Sequence, residues 1–393
     1  MPALNDHRDV LHHPLLVAVR PHLRVAVAAV GGVVRDALLG RAHGGDLDLV
    51  TRADAPTEAA RIARAMGAEL TAHPRFRTAT LRLPDGAGHV DVISARSERY
   101  PHPGALPEVS PGTVADDLAR RDFSINAMAV WVTGPAAERL EDPTGGLADL
   151  RAGVVRALRE DAFHEDPSRV VRAARYAGRL GFDLDPDTRA AAAREAPRLR
   201  WDASRVAGEL RRLLEEADPV PGLGLLAGLG APHLEPDPAA RLHAVDRATG
   251  MPGAPELPVW AVRLGMLMPE AVLAHVALPG WGLTVAAEVR RGWERRGRRP
   301  PESVAARPCF GRDAPGRDAG AFAAGAAAVE DWWLHQRDLR LHITGADLLE
   351  LGVPQGPRIG ATLAAVRADV LDGLVPDDRD QQLRAARRMA DGA

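Results

Sequence analysis

The strongest chemical signal in the chain is a pair of aspartates, Asp46 and Asp48, which alternate with leucines eleven residues after Arg35. In a β-strand, residues i and i+2 point to the same face, so both carboxylates are expected on one side of the strand. Two acids on one face repel each other unless a cation lies between them. Hard oxygen ligands suit Mg²⁺, and paired ions about 3.5–4 Å apart can stabilise the attacking and leaving oxygens of an in-line displacement. Asp46 and Asp48 are therefore the predicted metal ligands.

A strand, a Gly-Gly turn and a short helix are predicted just before these acids. The apolar run 25–30 ends at Gly31 and Gly32, and residues 33–39 have helical spacing. Free amide groups at the start of a helix can face phosphate oxygens. The pattern therefore predicts a triphosphate held at the two glycines, next to the metal.

Asp91 lies in a second alternating segment, residues 89–93, and is a candidate third carboxylate. Simpler interpretations exist for these elements, since Gly-Gly often precedes a helix and Asp-Leu-Asp is compatible with a solvated edge strand. A dinucleotide-binding fold is disfavoured, because no complete G-x-G-x-x-G occurs and the acids follow the glycines too soon. The metal interpretation is the favoured one.

Composition places few limits on the partners of the protein. The 393 residues carry 53 acidic and 50 basic side chains, a net charge of −3, so a nucleic-acid partner would have to be bound by local patches. All 50 basic residues are arginine, and only Asn5 and Asn126 are asparagine. The single cysteine, Cys309, excludes an internal disulfide and disfavours a zinc cluster. No signal peptide or apolar run of about 18 residues is evident, which predicts a cytoplasmic protein without a membrane segment.

Residues 1–150 are predicted to alternate short strands and helices. The predicted strands are 25–30, 46–51, 78–83 and 89–94, with a helix over 56–66. From about residue 160 the strand signal fades, and helical periodicity dominates, as in 170–180 and 203–216. Residues 299–320 are rich in Pro, Gly and Arg and are predicted to form a long loop or linker.

A second motif, residues 120–129, places two arginines, Asp122 and the rare Asn126 beside apolar residues. If the apolar side chains anchor this segment, Arg121 and Asn126 can reach the phosphates or sugar of a nucleotide, a task that suits the rigid donor fork of arginine. An ordinary amphipathic helix start with solvated arginines explains this motif by itself equally well.

The third motif begins with Glu165 and Asp166, and Pro167 then opens a predicted helix. Every third position from Asp166 carries a charged residue, namely Arg169, Arg172 and Arg175. Such a stripe can line one wall of a cleft. Taken alone it is better explained as a surface ion-pair ladder, worth about 0.2–0.5 kcal/mol per pair.

The three motifs, in this order, resemble the class II tRNA nucleotidyltransferase and bacterial poly(A) polymerase family, whose members carry G-G-x-V-R-D, D-x-D, R-R-D-F-T-I-N-A-M-A and E-D-x-x-R. The likeness covers about residues 25–215 and resumes at 343–357. It implies an α+β fold, with a nucleotidyltransferase (polymerase-β-like) head that contains a small mixed sheet, followed by all-α regions. The implied regions are a head at 1–157, a neck with the nucleotide template at 158–222, a body at 223–330 and a tRNA-binding tail at 331–393.

The resemblance also implies roles for individual residues. Asp46 and Asp48 would bind Mg²⁺, and the template for the base would be formed by Asp166, Arg169, Arg172 and Arg175. The expected nucleotide-binding residues are Gly31, Gly32, Arg35, Arg121, Asp122, Asn126, Glu165, Asp166, Arg169, Arg172 and Arg175. A carboxylate accepts from the exocyclic amine of C or A, and arginine donates to the adjacent ring acceptor, whereas U and G place a carbonyl where the carboxylate needs a donor.

The implied activity is the addition of C, A or both to the tRNA 3′ end from CTP and ATP. A poly(A) polymerase and a catalytically inactive RNA-binding module are the alternatives. The chain departs from the family pattern at Gly45, Ser124, Ser168 and Tyr176, which stand where lysine, threonine, leucine and phenylalanine are usual. Residues 95–107 occupy the place of the family's flexible loop, and their sequence leaves CCA, CC-only and A-only addition open. The arginine cluster 290–299 is either a tRNA phosphate contact or a solvated helix end.

Overall fold

The structure is a computed structural model that describes residues 4–41, 45–99, 108–234, 237–239, 241–243, 257–294, 339–371 and 373–391. The chain divides into two compact units, the first of Met1–Arg200 with Glu216–Pro232 and the second of Trp201–Glu215 with His233–Ala393. The predicted linker 299–320 and positions 100–107 of the predicted loop segment lie outside the described residues. The predicted division into head, neck, body and tail stays a prediction.

The first unit contains a mixed seven-stranded sheet with the order β3-β4-β5-β2-β1-β8-β9. Strands β2 and β5 are parallel, and the other neighbours in this sheet are antiparallel. Two short strand pairs, β6-β7 and β10-β11, lie outside it. The strands are β1 Val27–Val30, β2 Asp46–Thr51, β3 Glu69–His73, β4 Thr78–Arg82, β5 His89–Ser94, β6 Arg96–Arg99, β7 Glu108–Pro111, β8 Ala129–Trp131, β9 Leu140–Glu141, β10 Val154–Val155 and β11 Asp183–Leu184.

Helices separate these strands and follow them along the chain. In the first unit they are α1 Pro14–Val19, α2 Gly32–Leu38, α3 Ala55–Met66, α4 Val114–Ala119, α5 Gly146–Ala152, α6 Ala162–Glu165, α7 Ser168–Leu180, α8 Pro186–Glu195 and, after α9, α10 Val220–Gly228. In the second unit they are α9 Ser204–Leu214, α11 Val259–Leu267, α12 Glu270–Leu273, α13 Gly280–Glu294, α14 Gly345–Glu350, α15 Pro357–Leu371 and α16 Arg379–Asp391. No helix in the described part of the chain is long and apolar enough to cross a membrane.

The structure confirms the α+β fold, with strands in the first part and helices after it. Predicted strand 46–51 is β2 with the same bounds, and predicted helix 170–180 begins two residues earlier, at Ser168. Strand β3 was missed because all five of its side chains are exposed, so it has no alternation of buried and exposed residues. Strands β8 and β9 were missed because they are only three and two residues long.

Buried apolar residues hold the first and second motifs in place. Every residue of β1 is buried, and Leu47 and Leu49 of β2 are buried on the face opposite the two aspartates. Phe123, Ile125 and Met128 are fully buried, as expected if the second motif is anchored by its apolar side chains. The last three helices, α14 to α16, build a separate apolar core that includes Leu348 and Val366.

Candidate active site

The pairing of β2 with β5 brings three carboxylates to one face of the sheet. The two strands run parallel, with Asp48 paired with Asp91 and Asp46 paired with His89. Paired residues on neighbouring strands point to the same face, so Asp46, Asp48 and Asp91 share the side opposite Leu47. The sequence predicted that Asp46 and Asp48 share one face of a strand, and the register of β2 and β5 brings Asp91 to the same face.

The environment of these carboxylates concentrates negative charge. Burial raises the pKa of Asp48 above its usual range; the positive charge of Arg121 opposes this rise, and the carboxylates of Asp91 and Asp46 add to it. The Asp46 side chain is 74% exposed, and its Oδ1 lies 3.1 Å from Nδ1 of His89. The Asp91 carboxylate accepts a hydrogen bond from the Thr80 hydroxyl. A bound cation would relieve the mutual repulsion of these acids.

The donor set suits a hard divalent cation that keeps part of its hydration. Asp46 and Asp48 offer carboxylate oxygens. Among the described residues, no group of three or more His, Cys, Asp or Glu side chains is arranged to hold a metal ion, so the protein by itself supplies only part of a coordination shell. Mg²⁺ sites commonly use one or two carboxylates and take their other ligands from water and substrate phosphates. The site therefore fits a metal that arrives with a phosphate ligand.

Gly31 brings the first and second motifs into contact. Its φ is +80°, and it precedes α2, which starts at Gly32. A Cβ atom at Gly31 would lie 2.8 Å from Nη1 of Arg121 and 3.6 Å from Oδ2 of Asp48. Glycine at position 31 therefore permits the positive φ, and it also leaves room for Arg121 to lie close to Asp48.

Arg35 is buried and bound by neighbouring side chains. Its guanidinium donates to Asp36 at 2.9 and 2.8 Å and to Oδ1 of Asn126 at 2.6 Å. Burial lowers the pKa of Arg35, but the hydrogen bonds and charge of Asp36 outweigh it, so the pKa is raised overall. Arg35 and Asn126 therefore connect the first motif to the second, and both side chains are almost fully buried.

Arg121 is bound by Asp117, an acid that was not predicted from the sequence. Asp117, which is fully buried, accepts from Nη2 of Arg121 at 3.3 Å and from Arg120 at 2.6 Å. Nη1 of Arg121 also donates to the Asn126 carbonyl at 3.4 Å. The only sequence signal for Asp117 was its place four residues before Arg121.

The third motif contacts the second through Arg172. Its Nη1 donates to Oδ2 of Asp122 at 2.8 Å. Burial opposes ionisation of Asp122, but the charge and hydrogen bond of Arg172 outweigh that effect and lower the pKa of this carboxyl. Asp122 and Arg172 are thus partners of each other in the folded chain.

We expect Asp122→Asn to lower the free energy of unfolding by about 1–1.5 kcal/mol at pH 7, because asparagine keeps an acceptor but loses the charge-assisted part of the bond. The folded pKa is lowered, so this stabilisation is present above the unfolded pKa of Asp122 and is lost as the pH falls through the folded value. Denaturant melts of both proteins from pH 7 downward should show the difference shrinking towards acid. A difference that stays constant with pH would contradict this assignment.

The residues at the start of α7 are buried and close together. Asp166 accepts from the Ser168 hydroxyl at 2.6 Å, and its Oδ2 lies 3.9 Å from Nε of Arg169. Glu165 is 3.6 Å from Nη1 of Arg169 and also pairs with Arg159. The side chains of Asp166 and Arg169 are only 3% and 6% exposed. A carboxylate and a guanidinium thus lie side by side at the start of this helix.

A cavity of about 290 Å³ lies over the three carboxylates. Its lining residues are His13, Gly32, Val33, Arg35, Asp36, Asp46, Asp48, His89, Asp91, Arg175, Tyr176 and Arg179. The fold thus brings together six predicted site residues, Gly32, Arg35, Asp46, Asp48, Asp91 and Arg175. The lining does not include the other predicted residues, which are Gly31, Arg121, Asp122, Asn126, Glu165, Asp166, Arg169 and Arg172.

Several lining residues were not predicted from the sequence. Arg179 follows Arg175 by one helical turn, and His89 precedes Asp91 on the same strand face, so periodicity could have identified both. His13 lies far from the motifs in sequence, and nothing in the local pattern indicated it. Glu216 was also missed; it accepts from Nη1 of Arg175 at 3.2 Å.

The mixed sheet, the Gly-Gly turn and the carboxylates beneath an arginine-lined cavity show that the first unit contains a nucleotidyltransferase head. The Poly A polymerase head domain family matches residues 27–156. A CC-adding tRNA nucleotidyltransferase of Deinococcus radiodurans is 35% identical over 362 residues, which cover 91% of this chain and 89% of the relative. The chain therefore belongs to the class II tRNA nucleotidyltransferase family, as its motifs predicted.

Relatives with different names share this similarity. An A-adding tRNA nucleotidyltransferase of Halalkalibacterium halodurans is 37% identical over 230 residues, which cover 57% of this chain and 53% of the relative. The solved structure of the Thermotoga maritima CCA-adding enzyme complexed with tRNA has the same fold, with a TM-score of 0.77 at 23% identity, covering 99% of this chain and 100% of that one.

Proposed function

We propose that this protein is a tRNA nucleotidyltransferase that adds C, A or both to the tRNA 3′ end. It uses CTP and ATP and releases pyrophosphate. The observation that carries this function is the cavity in which Gly32, Arg175 and the carboxylates Asp46 and Asp48 meet. Membership of the family, in which relatives are CC-adding and A-adding tRNA nucleotidyltransferases, supports tRNA as the acceptor.

In this function Asp46 and Asp48 hold Mg²⁺. When bound, the ion lowers the pKa of the attacking 3′-hydroxyl and neutralises charge on the phosphates. The arginines Arg175 and Arg179 lie on the same cavity and provide positive charge for the triphosphate. The new bond joins the 3′-oxygen to the α-phosphorus, and the bond from that phosphorus to the pyrophosphate oxygen breaks. Asp91, paired with Asp48 in the sheet, is proposed as the third carboxylate.

We assign base selection to Asp166 and Arg169. Their adjacent carboxylate and guanidinium offer an acceptor next to a donor, which matches the edges of C and A. Both side chains are almost buried, so this role requires a local opening of the start of α7 when the nucleotide binds. Arg172 and Arg175 are proposed to support this template.

One assay separates the activities within the family. The protein is incubated with Mg²⁺ and three tRNAs, which end before CCA, after C and after CC, together with each nucleoside triphosphate in turn. Incorporation of both C and A indicates CCA addition, and a product that stops at CC or needs a CC end indicates a partial activity. Extension of unrelated RNAs with ATP alone would indicate a poly(A) polymerase. No incorporation with any tRNA would refute the proposal.

The arginine cluster 290–299 is proposed to bind tRNA phosphates. Its first part lies at the end of α13, where Arg291 pairs with Glu270, and positions 295–299 lie outside the described residues. We expect replacement of Arg290, Arg295 and Arg296 by alanine to flatten the salt dependence of tRNA binding, by roughly 0.7–0.9 in the log–log slope per lost phosphate contact. Binding measured from low to high salt tests this, and an unchanged slope would reject it.

A further inference from the structure

Tyr176 lines the cavity beside the carboxylates, at a position where the related motif has phenylalanine. We propose that its phenol hydroxyl binds the triphosphate of the incoming nucleotide, on the pyrophosphate side. This makes Tyr176 a nucleotide-binding residue particular to chains with tyrosine here. The inference rests on the proposed nucleotidyltransferase function and adds a contact within that site.

Protein groups surround the aromatic ring of Tyr176. The guanidinium carbons of Arg35 and Arg175 lie 5.3 and 4.7 Å from the ring centroid, within the range of cation–π attraction. The Phe123 ring packs against it at 5.9 Å and an angle of 85°. Two guanidinium groups and the Phe123 ring thus contact the aromatic ring of Tyr176. The residue as a whole is still partly exposed. What remains for a ligand in the cavity is the hydroxyl group.

The hydroxyl proton has no acceptor in the part of the protein that the structure describes. Arg35 and Arg175 are donors only, since a guanidinium carries no acceptor atom. A phenol hydroxyl can accept from such donors and can also donate its own proton, so that proton can go to a ligand in the cavity.

The charges around the cavity indicate which ligand atom accepts that proton. Tyr176 lines the cavity together with Arg175 and Arg179 of the same helix, and Asp36 of α2 lies 3.9 Å from Arg179. The carboxylates proposed to hold the metal, Asp46 and Asp48, lie on β2 and have Asp91 of β5 beside them. Phosphate oxygens that are not shared with a metal are the acceptors that two arginines attract. The hydroxyl is therefore assigned to bind the β- and γ-phosphates, which leave as pyrophosphate, and not the base.

The test is Tyr176→Phe, which keeps the ring, its cation–π contacts and the Phe123 contact and removes only the oxygen. In steady-state assays on a tRNA acceptor that the wild type extends, we expect KM to rise about tenfold for each nucleotide used, with kcat changed far less. Inhibition by added pyrophosphate should weaken by a similar factor, because the same phosphates lose the same contact. Thermal melting should show an unchanged fold.

Other outcomes overturn the proposal. Unchanged KM and unchanged pyrophosphate inhibition would show that the hydroxyl has no role in nucleotide binding. A raised KM with normal pyrophosphate inhibition would place the contact on the base or ribose and refute the phosphate assignment. Tyr176→Leu serves as the matched control, since it removes the ring as well and should also lower the melting temperature. A wild-type protein that extends no acceptor would refute the proposed function instead, so the two failures are distinguishable.

Discussion

Asp46→Asn and Asp48→Asn should each reduce nucleotide transfer by about three orders of magnitude or more while leaving the protein folded. Each substitution removes one of the two charged oxygen ligands proposed for the metal. A bound metal ion contributes several kcal/mol to stabilisation of the transition state, and this contribution is lost if the ion no longer binds. The fold should tolerate both changes, because Asp46 is largely exposed and because burial raises the pKa of Asp48, so loss of its charge does not remove a stabilising ion. Initial rates of labelled CTP and ATP incorporation, with thermal melting alongside, measure the effect.

A matched control separates charge from position. Asp187→Asn changes the net charge by the same amount at an exposed site at the start of α8 and should leave the rates unchanged. Asp91→Asn tests whether the third carboxylate is essential. A loss of transfer rate as large as that of Asp48→Asn would place Asp91 among the metal ligands. Near wild-type rates in both Asp46→Asn and Asp48→Asn would refute the metal-site assignment.

The second large effect is expected on nucleotide choice. Arg169→Ala removes the donor proposed for the base edge, and Asp166→Asn replaces an obligate acceptor with a group that can also donate. We expect discrimination of CTP and ATP against UTP and GTP to fall by about 10- to 100-fold, corresponding to roughly 1–3 kcal/mol for a bidentate pair. The measurement is kcat/KM for all four nucleotides on the same tRNA.

The structural role of Asp166 requires its own control. Because Asp166 accepts from the amide and hydroxyl of Ser168, a change there can also disturb the start of α7. Ser168→Ala removes the hydroxyl bond but keeps the carboxylate, so it should lower the melting temperature slightly and leave selectivity intact. Strict selection of CTP and ATP in both Asp166→Asn and Arg169→Ala would eliminate the template model.

Local patterns along the chain were sufficient for much of the head. Alternation in residues 46–51 and 89–94 predicted two strands with the observed bounds, and the apolar residues of the second motif predicted its anchoring. These predictions succeeded because a half-buried strand carries alternating apolar and polar residues, and this alternation is visible in the sequence itself. The exposed strand β3 lacked that signal and was missed.

The partners of the charged residues could not be read from the motifs. Nucleotide binding by Arg35, Asp122 and Arg172 stays a prediction. Within the protein, Arg35 donates to Asp36 and Asn126, and Arg172 donates to Asp122. The Asp122–Arg172 contact joins positions 50 residues apart, and the Arg35–Asn126 contact joins positions 91 residues apart. Spacing shows which charged residues share an element, but it does not show which elements will meet.

The linear pattern was thus enough to identify the family, the two aspartates on one strand face and the glycine turn before them, since each depends on contacts within a few residues. Folding was needed to place Asp91 beside Asp48, to add Tyr176 and Arg179 to the cavity wall, and to bury Asp166 and Arg169 next to each other. The physical reason is that strand register and helix packing are settled by the burial of apolar surface across the whole unit, and charged side chains then pair with whatever that packing brings near.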